Sequence, residues 1–183
     1  MKYLKLSLIA LVGFTSMAHA QKVYTKNGSV SFFSKTPMEN IDAHNNQVMA
    51  VFNVPTGELQ FSLLVKGFHF QKALMEEHFN ENYLESEKFP KSTFKGKITD
   101  LSKVNFEKDG VYPVTVTGDL TMHGVTKSET TKGTITVKGG NISSDSKFIV
   151  KLADYKVEIP KLVKENISET IEITVACKYD QKM

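Results

Sequence analysis

The chain of 183 residues contains no tryptophan, no arginine and a single cysteine, Cys177. One cysteine excludes an intramolecular disulfide, so a packed core has to stabilise the fold. Without arginine, the chain has no bidentate guanidinium group for recognising phosphates or carboxylates. Because Cys177 lies in an apolar alternation near the C-terminus, we interpret it as a small buried side chain and not as a reactive thiol.

An excess of charge of one sign is also missing. The formal net charge is +3, and it falls by two, to +1, when Lys2 and Lys5 near the N-terminus are left out. Basic residues alternate with acidic ones and form no stripe, so we predict no nucleic-acid partner. The chain also lacks the GxGxxG and GxxxxGK[ST] nucleotide motifs and the GxSxG nucleophile elbow.

The longest apolar run lies at the N-terminus, where Leu6–Phe14 follows two lysines and precedes the small-residue pattern Ala18-His19-Ala20. This arrangement is typical of a secretory signal peptide that is cleaved before Gln21. We therefore predict a signal peptide over residues 1–20, one domain over residues 21–183, and a periplasmic or secreted protein. No run reaches the roughly 20 apolar residues of a transmembrane helix, so we expect no integral membrane span.

Most of the remaining sequence alternates between apolar and polar residues with a period of two, which is typical of half-buried strands. Turn residues separate the alternating stretches, and several of these turns are short enough for antiparallel hairpins. The pattern predicts an all-β domain of about eight strands but does not distinguish a barrel from a sandwich. The stretches are SVSFFS, QVMAVFNV, VPTGELQFSLLVKG, STFKGKITDL, YPVTVTGDLTMHG, TKGTITVKG, SKFIVKLADYKVEI and ETIEITVACKY.

The alternation stops around residues 71–81. There, Leu74 with His78 and Met75 with Phe79 are spaced four apart, as on one face of a helix. The spacing predicts one short amphipathic α-helix that interrupts the strands.

The same region concentrates glutamates around His78, which raises the possibility of a metal site. Glu77 would point about 100° away from His78 on a helix, whereas Glu81 could share an ion with it. We favour a solvated acidic face, and so expect no metal, no cofactor and no catalytic residue. A metal-assisted hydrolase or isomerase that uses His78, Glu77, Glu81 or His123 is the alternative. We interpret His123 itself as a turn or hydrogen-bonding residue.

Three segments, in this order, resemble the YceI-like family: NENYLESEKFPKSTFKGKITDL, GVYPVTVTGDLTMHGVTK and FIVKLADYKVEIPKLVKENISETIEITVACKY. Residues 118–126 resemble the family's G-x-L-T-x-H-G-V-T signature, and residues 89–96 resemble its FP-x-x-x-F-x-G element. The resemblance extends from about Gly57 to Tyr179, and more weakly from Val23. The N-terminal part and the helix depart from the family, because residues 29–34 keep only part of an S-x-V-x-F-x-V-x-H opening and the stretch LMEEHFNENYLESEKFP resembles a variant branch.

The resemblance implies an exported, extended, antiparallel eight-stranded lipocalin-like barrel, into which we expect the short helix to be inserted. It also implies a binding protein, not an enzyme, that holds a polyisoprenoid or a similar long amphiphilic lipid for storage or transport. Pairing into a homodimer is compatible with the resemblance, and a filled barrel with an interaction or stress-response role is a further alternative. The expected ligand contacts are Leu63, Val65, Phe68, Phe70, Leu74, Phe79, Phe94, Val114, Val116, Leu120, Phe148, Val150 and Leu152.

Overall fold

A computed structural model describes residues 22–183. The predicted signal peptide over residues 1–20 lies outside this part of the chain. Within residues 22–183, no helix has both the length and the apolar character needed to cross a bilayer.

The described residues form one antiparallel sheet of ten strands, eight of them long and two only two residues each. In chain order they are β1 (Lys22–Lys35), β2 (Asn40–Asn53), β3 (Glu58–Leu64), β4 (His69–Phe70), β5 (Lys91–Ile98), β6 (Gly110–Met122), β7 (Val125–Lys138), β8 (Asn141–Lys151), β9 (Thr170–Tyr179) and β10 (Gln181–Lys182).

The sheet closes on itself, because β1 pairs with β9 on one side and with β2 on the other. The long strands follow the order β1-β9-β8-β7-β6-β5-β3-β2, while β4 adds to β2 and β10 adds to β1. Closure removes the unpaired edges at which open sheets associate. The fold is therefore a closed eight-stranded antiparallel barrel, which confirms the lipocalin-like architecture.

One predicted strand is shorter than its sequence pattern. The alternation in SKFIVKLADYKVEI continues to Ile159, but β8 ends at Lys151 and a 3-10 turn follows over Leu152–Tyr155. Lys156 then adopts a left-handed backbone with φ of 56°. Leu152, Tyr155 and Val157 are buried against one another. Their apolar spacing thus reflects a turn packed against the barrel and not a continued strand.

The predicted helix is present, with slightly different bounds. Helix α1 covers Ala73–His78 and continues into a π-helical turn over Phe79–Tyr83. This segment interrupts the chain between β4 and β5, as the loss of alternation indicates.

A packed core closes the end of the barrel opposite to α1. Phe52 lies at its centre, with ring-centroid distances of 5.9 Å to Phe106 and 5.8 Å to Tyr179. Cys177 belongs to this core and is 2% exposed, and burial raises the pKa of its thiol to about 12. The interpretation of Cys177 as a small buried side chain is confirmed.

Candidate ligand-binding cavity

Between the packed end and α1, the barrel encloses a cavity of about 340 Å³. Its wall consists mainly of apolar side chains from the inner faces of the strands. Phe61 on β3 and Phe94 on β5 lie side by side in this wall, with their ring centroids 6.1 Å apart. The interior is therefore partly open, and side chains do not fill it completely.

Two paired glycines make room for the ring of Phe94. Gly96 on β5 is directly opposite Gly118 on β6. A Cβ atom on Gly118 would lie 2.3 Å from the Cα of Gly96, 2.4 Å from the carbonyl oxygen of Lys95 and 2.7 Å from the ring of Phe94. Only hydrogen atoms fit at these two positions, and so the ring can lie close against both glycines.

Of the thirteen residues predicted as ligand contacts, twelve line the cavity; they are Leu63, Val65, Phe68, Phe70, Phe79, Phe94, Val114, Val116, Leu120, Phe148, Val150 and Leu152. Leu74 is the exception, since it lies outside the lining and is 60% exposed. Neighbouring helical residues point about 100° apart. Met75, and not Leu74, therefore faces the cavity. That a ligand touches the twelve remains a prediction.

Four phenylalanines, which we call the aromatic cluster, connect α1 to the barrel: Phe32, Phe68, Phe70 and Phe79. The ring of Phe79 lies at the end of α1, with centroids 5.4 Å from Phe32, 5.5 Å from Phe68 and 5.1 Å from Phe70. Such aromatic contacts stabilise packing beyond their buried area. The aromatic cluster thus holds α1 beside one end of the cavity.

Polar contacts surround the same end of the cavity. The Glu39 carboxylate, after β1, accepts hydrogen bonds from Lys72 Nζ at 2.9 Å and from Asn166 Nδ2 at 3.3 Å. The bond from Lys72 is the main reason why the pKa of Glu39 is lowered. His78, which is exposed, also lines the cavity, so the cavity reaches the surface beside α1. We call this opening the mouth.

The sequence matches the model of the YceI-like domain over residues 15–179. The chain belongs to the YceI-like family. No curated protein matches it significantly.

Several solved structures have the same fold as this YceI-like chain. A polyisoprenoid binding domain from Saccharophagus degradans, implicated in plant cell wall breakdown, has a TM-score of 0.72 at 15% identity, covering 86% of this chain and 95% of that one. BcnA of Burkholderia cenocepacia has a TM-score of 0.66 at 17% identity, with coverages of 81% and 94%. The YCEI protein of Campylobacter jejuni has a TM-score of 0.59 at 18% identity, with coverages of 77% and 85%.

The YceI-like signature spans the tight turn between β6 and β7, where His123 and Gly124 have φ of 50° and 71°. Nδ1 of His123 lies 3.0 Å from the carbonyl oxygen of Tyr155, and Nε2 lies 2.8 Å from the Glu85 carboxylate. The bond from His123 is the main reason why the pKa of Glu85 is lowered. His123 therefore connects three segments through hydrogen bonds, which confirms its interpretation as a structural turn residue.

The possible metal ligands of the YceI-like chain do not converge. Glu77 and Glu81 are exposed, and only His78 of the three reaches the cavity. Within residues 22–183, no three His, Cys, Asp or Glu side chains are close enough together to hold an ion. The acidic side chains of this segment instead form local surface contacts, such as the bond from the Phe70 amide to Glu76.

The sequence interpretation missed several residues that line the cavity. Phe32 and Phe61 belong to predicted strands, and both could be assigned to the inner face by the alternation. Val163 and Ile167 lie in an irregular segment between β8 and β9, where no periodic pattern identifies them. Glu129 also lines the cavity. It was not among the predicted ligand contacts, because all of these were apolar residues.

Proposed function

We propose that this YceI-like protein holds a long apolar or amphiphilic ligand, such as a polyisoprenoid or similar lipid, inside its barrel for storage or transport. The observation that carries the proposal is the largely apolar cavity of about 340 Å³ within a closed barrel. A relative with the same fold is described as a polyisoprenoid binding domain, which supports this class of ligand.

The binding energy would come from transferring hydrocarbon out of water. Each buried methylene contributes about 0.8 kcal/mol, so a five-carbon isoprene unit contributes roughly 4 kcal/mol before the cost of ordering the chain. Affinity should therefore rise with chain length until the cavity is full. No bond has to be made or broken for this role, and we propose a binding protein without catalytic activity.

We propose as ligand contacts the twelve predicted residues that line the cavity, and we leave out Leu74. The aromatic cluster and Met75 lie where a chain would enter beside α1. Export through the predicted signal peptide, and a periplasmic or secreted location, belong to the same proposal. A lipid carrier outside the cytoplasm would need no energy source, because loading and release are equilibrium steps.

Two adjacent residues of β8 provide a matched test. Phe148 lines the cavity and is half-buried, whereas Ile149 faces outwards and is 65% exposed. The wild-type protein, Phe148→Glu and Ile149→Glu are titrated with a polyprenol added from ethanol, and binding is measured by isothermal calorimetry. Circular dichroism checks that each variant is folded.

We expect the wild-type protein and Ile149→Glu to bind alike. Phe148→Glu should lose at least about 100-fold in affinity, because a carboxylate would need to be desolvated against the hydrocarbon chain. Equal binding by the two folded variants would contradict a ligand inside the barrel. Absence of polyprenol binding to the wild-type protein would contradict this class of ligand.

A further inference from the structure

The wall of the cavity has an unusual distribution of charge. All 23 basic residues of the chain are lysines. None of the described lysines lines the cavity. Three carboxylate residues do line it: Glu39, Glu129 and Asp145. Among the described residues, the formal charges in the lining are therefore negative, apart from any charge on His78.

The three carboxylates have different surroundings. Glu39 lies at the mouth, where Lys72 balances its charge. Asp145 is exposed on β8. Glu129 is half-buried on the inner face of β7, where it is opposite Gly118 of β6. It thus lies at the level of the Phe94 ring, well inside the barrel.

One oxygen of Glu129 is already bound. The hydroxyl of Tyr155, a residue with 0% exposure, donates a hydrogen bond of 2.9 Å to Oε1 of Glu129. Burial is the main reason why the pKa of Tyr155 is raised, and the bond to Glu129 raises it further, so the hydroxyl stays a donor. Among the described residues, Oε2 accepts no hydrogen bond and no cation lies within ion-pair distance of Glu129.

Glu129 lies beyond the end of one strand pairing. The pairing of β7 with β8 ends at Gly133 and Ser146, so within residues 22–183 the part of β7 that contains Glu129 has no strand partner on the β8 side. Side chains bridge this gap instead, since Thr131 Oγ1 lies 3.2 Å from Ser146 Oγ. Glu129, Thr131 and Ser146 form a polar patch in a mostly apolar wall, and we call it the β7 patch.

We infer that the β7 patch binds the polar end of the ligand, and that this end is a neutral or cationic hydrogen-bond donor such as a hydroxyl, a primary amide or an ammonium group. The inference rests on the proposed function. The free oxygen of Glu129 accepts the donor, and Thr131 and Ser146 supply further hydroxyl groups. A carboxylate or phosphate would lie beside a negative charge without a lysine in the wall to compensate it. Two unit charges of like sign at about 5 Å, in surroundings of effective dielectric constant near 20, oppose binding by roughly 100-fold.

Four ligands with the same chain separate the effect of the head group from that of the tail: hexadecanol, hexadecanamide, hexadecylammonium and hexadecanoate. Each is titrated into the wild-type protein at mildly alkaline pH, where hexadecanoate in solution is ionised. The variants are Glu129→Gln, which keeps the size and the bond to Tyr155, and Glu39→Gln at the mouth. Glu107→Gln is the control, because Glu107 is exposed and lies outside the cavity lining.

We expect hexadecanoate to bind the wild-type protein about 100-fold more weakly than hexadecanol. Glu129→Gln should remove most of this difference and should lower the affinity for hexadecylammonium. Glu39→Gln and Glu107→Gln should bind the four ligands in the same order of affinity as the wild-type protein. Equal binding of hexadecanoate and hexadecanol, or a preference that survives in Glu129→Gln, would overturn the inference. If the preference for hexadecanol over hexadecanoate disappears in Glu39→Gln, the polar end of the ligand lies at the mouth, and this result would also overturn the inference. If none of the four ligands binds, the proposed function itself fails.

Discussion

Replacing Gly118 by alanine tests whether the close pairing of β5 and β6 forms the cavity wall. The added Cβ would meet two backbone atoms, the Cα of Gly96 and the carbonyl oxygen of Lys95, at 2.3 and 2.4 Å. No side-chain rotation relieves these two contacts. The strands have to separate, or the register has to shift, and the ring of Phe94 has to leave the wall.

Overpacking of this kind typically lowers the free energy of unfolding by about 1–3 kcal/mol. Because both contacts are with backbone atoms, we expect a loss of about 3 kcal/mol for Gly118→Ala. For a domain of this size, 1 kcal/mol lowers the melting temperature by roughly 2–4 °C, so we expect a decrease of about 10 °C. The displaced Phe94 ring should also occupy part of the cavity. Polyprenol affinity should therefore fall together with stability.

Urea unfolding followed by circular dichroism measures the free energy of unfolding, and calorimetric titration measures binding. Gly139→Ala is the control, because Gly139 has φ of +57° but, apart from its two chain neighbours, the described residues place no atom within 4 Å of an added Cβ. It should cost only the backbone strain of about 1 kcal/mol. In Phe94→Leu combined with Gly118→Ala, only part of the lost stability should return, since the two backbone contacts remain. A loss for Gly118→Ala no larger than for Gly139→Ala would refute this account of the wall.

Three further predictions concern the aromatic cluster, the His123 contact and the cysteine. Phe79→Ala should lower the free energy of unfolding by about 2 kcal/mol and accelerate hydrogen exchange in residues 73–78, whereas Leu74→Ala, on the exposed side of α1, should change stability by less than about 0.5 kcal/mol. Glu85→Gln should destabilise the protein at neutral pH and converge with the wild type in acid: the pKa of Glu85 is lowered in the folded state, so its contribution is present above its unfolded pKa and is lost as the pH falls through the folded value. A difference that persists at low pH would contradict this. Cys177 should react with a thiol reagent only in denaturant, and rapid labelling of the native protein would contradict its burial.

The alternation in the sequence predicts the strands of this fold but not the closure of the barrel, which only the family resemblance implies. The alternation of apolar and polar residues determines which face of a strand is buried, and it is the same in a barrel and in a sandwich. Closure depends on β1 pairing with both β2 and β9. The pairing with β9 joins residues far apart in the sequence, and a local alternation pattern does not indicate it. The same limit explains the error at Leu152–Tyr155, where a buried turn has the apolar spacing of a strand.

The apolar side chains that line the cavity could be predicted from the sequence, whereas the polar ones could not. Inward residues such as Val114, Val116 and Leu120 follow from the alternation of β6. Glu129 shares the inner face of β7 with Ile135, six residues away, and that even spacing was the available signal. It was not predicted because the alternating stretch recognised in the sequence, TKGTITVKG, begins only at Thr131, whereas β7 begins at Val125.

Native mass spectrometry of the protein purified from its own host tests the central claim most directly. We predict a mass above that of the polypeptide alone, and the excess should disappear after extraction with organic solvent and match a hydrophobic chain in the extract. The same preparation of Phe148→Glu should carry no excess mass. A wild-type protein that has the polypeptide mass alone in every preparation, with nothing hydrophobic in the extract, would contradict the account.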